Sequence, residues 1–168
     1  MAATTITGVC KSATGTPAAF CNEAVTGTLT LNGTGISATG ALLNNGGGGA
    51  VYAGALTLGS SSSIIAAGGA INLTNTAEIG GSRTGTVSLT LGGNAGGLLA
   101  PIMGPNNNGT LVKQDSGVWA LTGIHSHNGT TTINGGTLAL AGAGALVNSG
   151  IIQLNAGMLD VSGISASS

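Results

Sequence analysis

The sequence predicts an all-β fold, and within that class a parallel β-solenoid. Three observations favour it: apolar residues recur in short runs separated by glycine and asparagine, good helix formers are scarce, and only 4 % of the 168 residues are charged. Antiparallel sandwiches normally carry charged outer faces and aromatic cores, and this chain has 2 % aromatic residues. A solenoid needs neither, because aliphatic ladders fill its interior.

The strand candidates are runs of alternating or continuous apolar residues. In chain order they are Thr28–Leu31, Ala55–Leu58, Ala70–Leu73, Thr86–Leu91, Trp119–Thr122, Thr137–Leu140 and Ile151–Leu154. Segments such as 44–49 and 134–136, rich in Asn and Gly, lie between them, where positive φ costs little.

A loose internal repeat sets the expected coil length. Residues 110–134 and 137–161 each hold three short strands, and Leu111 precedes Leu138 by 27 residues as Ile133 precedes Leu159 by 26. Coils of roughly 20 to 27 residues would give about six or seven coils over the chain.

Residues 1–24 differ in composition from residues 25–168, which we assign to the solenoid. This first segment contains Cys10, Cys21, Phe20 and Pro17, and we interpret it as an N-terminal cap or an assembly arm. A disulfide between Cys10 and Cys21 would add roughly 3 kcal/mol and would imply an oxidising compartment. The alternative is two unpaired buried thiols.

Charge and hydropathy exclude several partners. The net charge is −1 and no basic cluster is present, so neither nucleic acid nor a cofactor phosphate is an expected ligand. The most apolar run, residues 98–103, is too short to cross a bilayer as a helix. Residues 1–9 do not look like a signal peptide, so an exported form would have lost or lacked one.

Residues 109–140 carry a specific resemblance. Their sequence, GTLVKQDSGVWALTGIHSHNGTTTINGGTLAL, resembles the autotransporter-associated β-strand repeat of bacterial passenger domains. The residues that carry it are Leu111, Lys113, Gly117, Trp119, Leu121, Gly123, Gly129, Thr131, Thr132, Ile133, Asn134, Gly136, Thr137 and Leu138. Two positions depart from the pattern: Asp115 replaces the usual glycine, and His127 the usual aromatic residue.

The resemblance implies a right-handed single-stranded parallel β-helix that is secreted or displayed on a bacterial surface. It also implies that the protein acts as a stalk, an adhesive surface or a matrix component. No translocator barrel follows, so we expect either a passenger fragment or a small free-standing relative.

No catalytic or metal site is expected. The acidic residues Glu23, Glu78, Asp115 and Asp160 are widely spaced, although the last two could share one flank. His125 and His127 lie on the same side of a strand, which is half of a metal site, but we favour two exposed turn histidines. Lys113 and Asp115 are expected to form a weak surface pair.

The leading functional hypothesis is a non-catalytic extracellular structural protein that self-associates head to tail. End coils of a solenoid expose unpaired backbone groups, and residues 161–168 contain no Lys or Pro that would block pairing. The alternative is an adhesive passenger fragment that binds a host ligand or a surface or matrix polysaccharide on one flank. Its candidate binding residues are Tyr52, Trp119, His125 and His127.

Overall fold

The computed structural model describes residues 27–81, 86–105 and 109–165. The strands are β1 Leu29–Gly33, β2 Leu42–Asn44, β3 Ala50–Tyr52, β4 Leu56–Ala66, β5 Ile71–Leu73, β6 Gly80–Gly81, β7 Ser88–Gly92, β8 Gly97–Leu99, β9 Thr110–Lys113, β10 Val118–Leu121, β11 Ile124–His125, β12 Thr131–Ile133, β13 Thr137–Gly142, β14 Ala145–Leu146, β15 Ile152–Leu154 and β16 Met158–Ile164. A short 3-10 segment, Ile36–Ala38, joins β1 to β2. The cap or arm assigned to residues 1–24, with Cys10, Cys21 and Glu23, lies outside the described residues.

All recorded strand pairs are parallel, and they build two long sheets and one short one. Sheet 1 runs β1-β4-β7-β9-β12-β15, with β2 and β6 also paired to β4, and sheet 2 runs β3-β5-β8-β10-β13-β16. The third face holds the pair β11-β14. Because neighbours in each sheet follow chain order, the chain winds as a β-solenoid of about five turns. The predicted fold class is confirmed, and the right-handed sense of the coil stays a prediction.

The register corrects how the repeat was aligned. Leu111 lies opposite Thr131 in sheet 1, whereas Leu138 lies opposite Trp119 in sheet 2, so the pair Leu111 and Leu138 is not one coil apart. The same holds for Ile133 and Leu159, which also lie in different sheets. The separations of 27 and 26 residues therefore each span one full coil plus the passage from sheet 1 to sheet 2. The structure has about five turns, fewer than the six or seven coils expected from the whole chain.

Every strand candidate from the sequence overlaps a strand, because alternation sends apolar residues into the interior. In β7 the inward residues Leu89 and Leu91 are fully buried, and the outward Thr90 is only partly covered. Leu111 of β9 and Ile133 of β12 continue the interior of sheet 1. The core is thus a column of aliphatic ladders between the sheets.

Glycine is required where coils approach closely at a turn. Gly93 has a φ of 91°, and a Cβ there would lie 2.1 Å from the Ala66 carbonyl oxygen of the neighbouring coil. Gly97, opposite Trp119, would place a Cβ 1.9 Å from the Ile71 carbonyl oxygen. A side chain at either position would push adjacent coils apart.

Within the described residues, no helix has the length and apolar character needed to span a membrane.

Candidate functional site

The four residues expected to bind a ligand on a flank are buried in the interior. Tyr52 is 7 % exposed, and Trp119, His125 and His127 are fully buried. The prediction of an exposed cluster is wrong, because these side chains occupy inward positions of their coils. They contribute to packing and to hydrogen bonds inside the solenoid.

The two aromatic polar groups bond to the backbone of neighbouring coils. The Trp119 indole N–H donates to the Gly92 carbonyl at 3.0 Å, and the Tyr52 hydroxyl donates to the Gly27 carbonyl. Burial raises the pKa of Tyr52 above its ordinary value. Both side chains therefore connect successive coils.

The histidines lie at the third face, where each ring has one bonded and one unbonded nitrogen. The Met103 N–H donates to His125 Nδ1 at 3.2 Å, so the neutral ring carries its proton on Nε2. His127 Nε2 is 3.0 Å from Thr131 Oγ1, which is 2.9 Å from Ser149 Oγ. The Ser149 hydroxyl also lies 3.2 Å from the Gly129 carbonyl oxygen, so His127, Thr131 and Ser149 form one hydrogen-bonded chain that ends on the backbone.

The buried N–H at His125 Nε2 and the buried His127 Nδ1 both lack a hydrogen-bond partner among the described residues. Desolvation, followed by the neighbouring His127, lowers the pKa of His125 to about 4. Desolvation also lowers the pKa of His127. Both rings are therefore neutral near neutral pH, and the expectation of exposed turn histidines is wrong.

The histidine pair does not make a metal centre as it stands. Across the described ranges, no group of three or more His, Cys, Asp or Glu side chains is placed to hold a metal ion. A metal at His125 Nε2 would require a proton on Nδ1, which would then oppose the Met103 N–H. The hydrogen bond from the Met103 N–H therefore opposes metal binding by His125.

Lys113 is buried rather than paired at the surface. Its ammonium donates to the carbonyls of Gln114 at 2.6 Å, Asp115 at 2.9 Å and Gly135 at 3.1 Å. Desolvation lowers the pKa of Lys113, while the Asp115 charge opposes that shift. The surface-pair prediction is wrong because the ammonium is needed by carbonyls of two successive turns.

Each of the two acids expected on one flank accepts a backbone hydrogen bond, Asp115 from the neighbouring coil and Asp160 from its own strand. Asp115 Oδ2 accepts from the Gly93 N–H at 2.7 Å, and Asp160 Oδ1 accepts from both the N–H and hydroxyl of Ser162. The hydroxyl and N–H of Ser162 hold the pKa of Asp160 below its ordinary value. Neither carboxylate is paired with the other.

The surface that stands out chemically is the C-terminal end of the solenoid. Leu154 of β15 lies opposite the fully buried Ile133 and therefore points inward, yet Leu154 is 52 % exposed. Ile152 of β15 and Val161 of β16 are similarly exposed, at 38 % and 54 %. We call Ile152, Leu154, Val161 and Ile164 the end surface.

The end surface exposes core positions because no described strand pairs with the outer side of the coil formed by β15 and β16. β15 and β16 are the outermost strands of sheets 1 and 2, so one side of each lacks a ladder partner in the described chain. Asp160 is the one charged residue between 151 and 165. An edge of this length without Lys or Pro is a ready template for another parallel strand.

An apolar cleft of about 640 Å³ opens beside the end surface. Its floor contains Leu140 and Leu146, and its walls include Ile124, Ala145 and Ile164. On the third face the described ladder stops at β14, although sheets 1 and 2 continue to β15 and β16. The cleft therefore occupies the place of the next third-face segment.

Part of the C-terminal end of the solenoid could be predicted from the sequence. The run Ile151–Leu154 is a recognisable strand, and the unguarded residues after Asp160 are visible in the sequence. Neither the cleft nor the exposure of inward residues can be recognised from a short stretch of sequence. Both depend on which coil lies at the end of the described solenoid. The buried position of Lys113 follows from alternation with Leu111, which sequence reasoning overlooked.

These observations define a β-solenoid with a passenger-type repeat. Residues 111–140 match the family model described as the Passenger-associated-transport-repeat. Together with the parallel coils, this match fits a repeat of an autotransporter passenger β-helix, and it suggests a cell-surface or extracellular location. No curated protein and no solved structure matches the chain.

The structure explains both departures from the repeat pattern. Asp115 has a φ of 59°, the left-handed conformation that glycine adopts most easily, and its carboxylate compensates by binding the Gly93 N–H. His127 is fully buried, so it fills the interior place of the usual aromatic ring. The repeat geometry is retained at both positions.

Proposed function

We propose that the chain is a non-catalytic, extracellular structural subunit that associates end to end into a filament or a surface scaffold. The observation that carries the proposal is the end surface, where inward apolar residues are exposed beside two unpaired strand edges. The opposite end presents β1 and β3 as the outermost strands of the same two sheets. Head-to-tail contact would thus continue both sheets with parallel pairing.

Burial of the end surface supplies the driving force. Covering a half-exposed Leu, Ile or Val side chain stabilises a contact by about 1 kcal/mol, and the facing coil contributes comparable apolar area. Backbone pairing adds direction, because the edge N–H and C=O groups accept only an aligned strand. Electrostatic repulsion between copies is small, since the net charge is −1.

The absence of enzymatic activity is part of the proposal. Asp115 and Asp160 both accept hydrogen bonds from backbone N–H groups, and both histidines lie in the interior. These contacts engage both carboxylates and both imidazoles within the fold, an arrangement that suits a scaffold.

A matched pair of substitutions tests end-to-end association. Val161→Lys places a charge in the end surface, while Val118→Lys places the same charge on a flank at nearly the same exposure, 54 % against 52 %. We expect Val161→Lys to weaken association at least about tenfold, because the Lys charge must be desolvated against apolar residues. Val118→Lys should assemble like the parent chain.

Light scattering and analytical ultracentrifugation measure association, and electron microscopy shows the filaments. Circular dichroism checks that both variants keep the β fold. A parent chain that stays monomeric at all concentrations would refute the proposal, as would equal weakening by the two substitutions.

The alternative function is adhesion on one flank, favoured by the passenger-type repeat at residues 111–140. With Tyr52 and Trp119 buried, such a flank would use rows of Thr, Ser and Asn side chains, as in the hydrogen bond between Asn134 and Asn155. Binding of a surface polysaccharide by a monomeric chain would favour this alternative.

A further inference from the structure

Sheet 1 has two outermost strands at the end of the solenoid formed by β1, β2 and β3. The strand β4 is 11 residues long and pairs with both β1 and β2, which lie one after the other along its length. Leu29 of β1 lies opposite Leu56, whereas Leu42 of β2 lies opposite Ile64, eight residues further along β4. The two strands are therefore roughly 20 to 25 Å apart along sheet 1, so only one of them can lie on the short strand β15 of another copy.

The ladder that runs through the whole of sheet 1 begins at β2. One unbroken row of paired residues joins the first coil to the last: Leu42, Ile64, Leu91, Lys113, Ile133 and Leu154. The first three residues of β1 pair with the first part of β4, whose other side pairs with β6. Only the last residue of β1, Gly33, reaches the part of β4 that pairs with β7.

Sheet 2 contains a second unbroken row, which begins at β3. Its members are Ala50, Ile71, Gly97, Trp119, Leu138 and Leu159. In the first coil eight residues separate the starts of the two rows, and in the last coil five residues separate their ends. The difference lies in the glycine-rich turn 45–49, where the Asn44 side chain donates to the Gly48 carbonyl at 2.8 Å and to the Ala70 carbonyl at 3.1 Å. The longer turn is thus attached to its own coil and to the next one.

We infer that β2 and β3 of a second copy pair with β15 and β16, in the register that sets Leu42 on Leu154 and Ala50 on Leu159. This inference rests on the proposed head-to-tail association and identifies the strands that meet. In this register both rows continue from one copy into the next. With β1 on β15 instead, β3 would be displaced from β16 along the sheets, and the row in sheet 2 would stop at each junction.

The chemistry of the two surfaces agrees with this pairing. Residues 27–56 contain no charged side chain, and Asp160 is the one charged residue between 151 and 165. Asp160 lies in the outward row that begins at Val51, and its carboxylate accepts two hydrogen bonds from Ser162, so it stays on the flank. Leu42 would cover the half-exposed Leu154. An apolar surface is thereby buried without enclosing a charge.

Thiol cross-linking between two kinds of copy tests the register. Val51→Cys is made in an isotopically light chain and Asp160→Cys in a heavy chain, because the inferred register makes these two outward positions neighbours. The matched pair Thr30→Cys and Gln153→Cys, at two exposed positions, reports the competing register in which β1 lies on β15. Each pair is mixed, allowed to assemble and treated with a short bismaleimide. Mass spectrometry then separates these links from those of the native thiols.

We expect links between positions 51 and 160 of light and heavy copies to be at least about tenfold more frequent than links between positions 30 and 153. Gly49→Cys with Met158→Cys repeats the measurement one row earlier if loss of the Asp160 carboxylate disturbs β16. A Cβ at Gly49 has room, since its nearest contact, the Ala70 carbonyl oxygen, is 3.9 Å away.

More frequent links between positions 30 and 153 would overturn the inference, because β1 would then be the strand on β15. Filaments in which neither pair is linked would also overturn it, since another segment would then cover β15 and β16. Both results would leave end-to-end association intact. Absence of filaments in the parent chain would refute the proposed association itself.

Discussion

At the scale of single residues, Asp115 shows how a coil position tolerates an unfavoured side chain. Its φ of 59° costs an L-residue about 1 kcal/mol relative to glycine. The carboxylate recovers energy by accepting the Gly93 N–H at 2.7 Å, which joins two successive coils at their turns. Backbone strain and a charge-assisted hydrogen bond therefore oppose each other at one residue.

Two substitutions separate these contributions. Asp115→Ala loses the hydrogen bond and keeps the strain, so we expect a loss of about 2 kcal/mol in the free energy of unfolding. Asp115→Gly loses the same bond but relieves the strain, and should be about 1 kcal/mol more stable than Asp115→Ala. Urea denaturation measures both, and equal stability of the two variants would contradict the role of the left-handed conformation.

At the scale of elements, the third face is the least regular part of the coil and the one that buries titratable rings. β11 and β14 are two residues long, and His125 and His127 fill the interior beside them. Both imidazoles have neutral hydrogen-bond partners, Met103 and Thr131, and desolvation disfavours a proton on either ring. Lowering the pH is therefore expected to destabilise the third face by protonating these rings.

The direction of the pH dependence of stability follows from the lowered pKa values of the two histidines. An unfolded histidine titrates near pH 6.5, whereas the pKa of His125 in the fold is about 4. The unfolded chain therefore takes up protons first, so stability is full above about pH 6.5 and falls by about 3 kcal/mol as the pH decreases to about 4. Urea midpoints measured across this range check the loss.

His127→Phe provides the comparison, because an aromatic ring suits this interior position. It removes one titrating group and the like charge beside His125, so the pH dependence between about 6.5 and 4 should become smaller, while the part that arises from desolvation of His125 remains. An unchanged pH dependence in this variant would show that the acid sensitivity arises elsewhere.

The sequence predicted the strands of sheets 1 and 2 better than those of the third face. Runs such as Thr86–Leu91 and Thr137–Leu140 alternate long enough to reveal an inward side. β11 and β14 are too short for any period to be read, and the buried state of His125 depends on the coils packed around it. Lys113 was misjudged because charge normally indicates exposure, while its ammonium is satisfied by carbonyls of two turns.

At the scale of the whole molecule, the two ends of the solenoid differ from the flanks in chemistry. The flanks have completed ladders, and the C-terminal end exposes inward residues such as Leu154 together with the cleft over Leu146. Growth by addition of copies would keep regenerating the same end. The proposed interaction would be apolar and backbone-mediated, with Asp160 as the one charged residue between 151 and 165.

Association should accordingly depend weakly on salt. Between about 0.05 and 0.5 M NaCl we expect the association constant to change less than about threefold, because little charge is screened at the interface. Warming from about 5 to 25 °C should strengthen it, as burial of apolar surface does near room temperature. Sedimentation at several salt concentrations measures the first effect, and a tenfold decrease with salt would indicate an electrostatic interface instead.

The sequence by itself determined that this chain is an all-β parallel solenoid with a passenger-type repeat at residues 111–140, because alternation, glycine turns and missing charge are local properties. Only the tertiary structure decided the register, which set Leu111 beside Thr131 rather than Leu138, and the burial of Trp119 and both histidines. It also decided which inward residues are left uncovered. Those outcomes depend on which coil lies above and below each residue, and the sequence around a single strand does not specify how the coils stack.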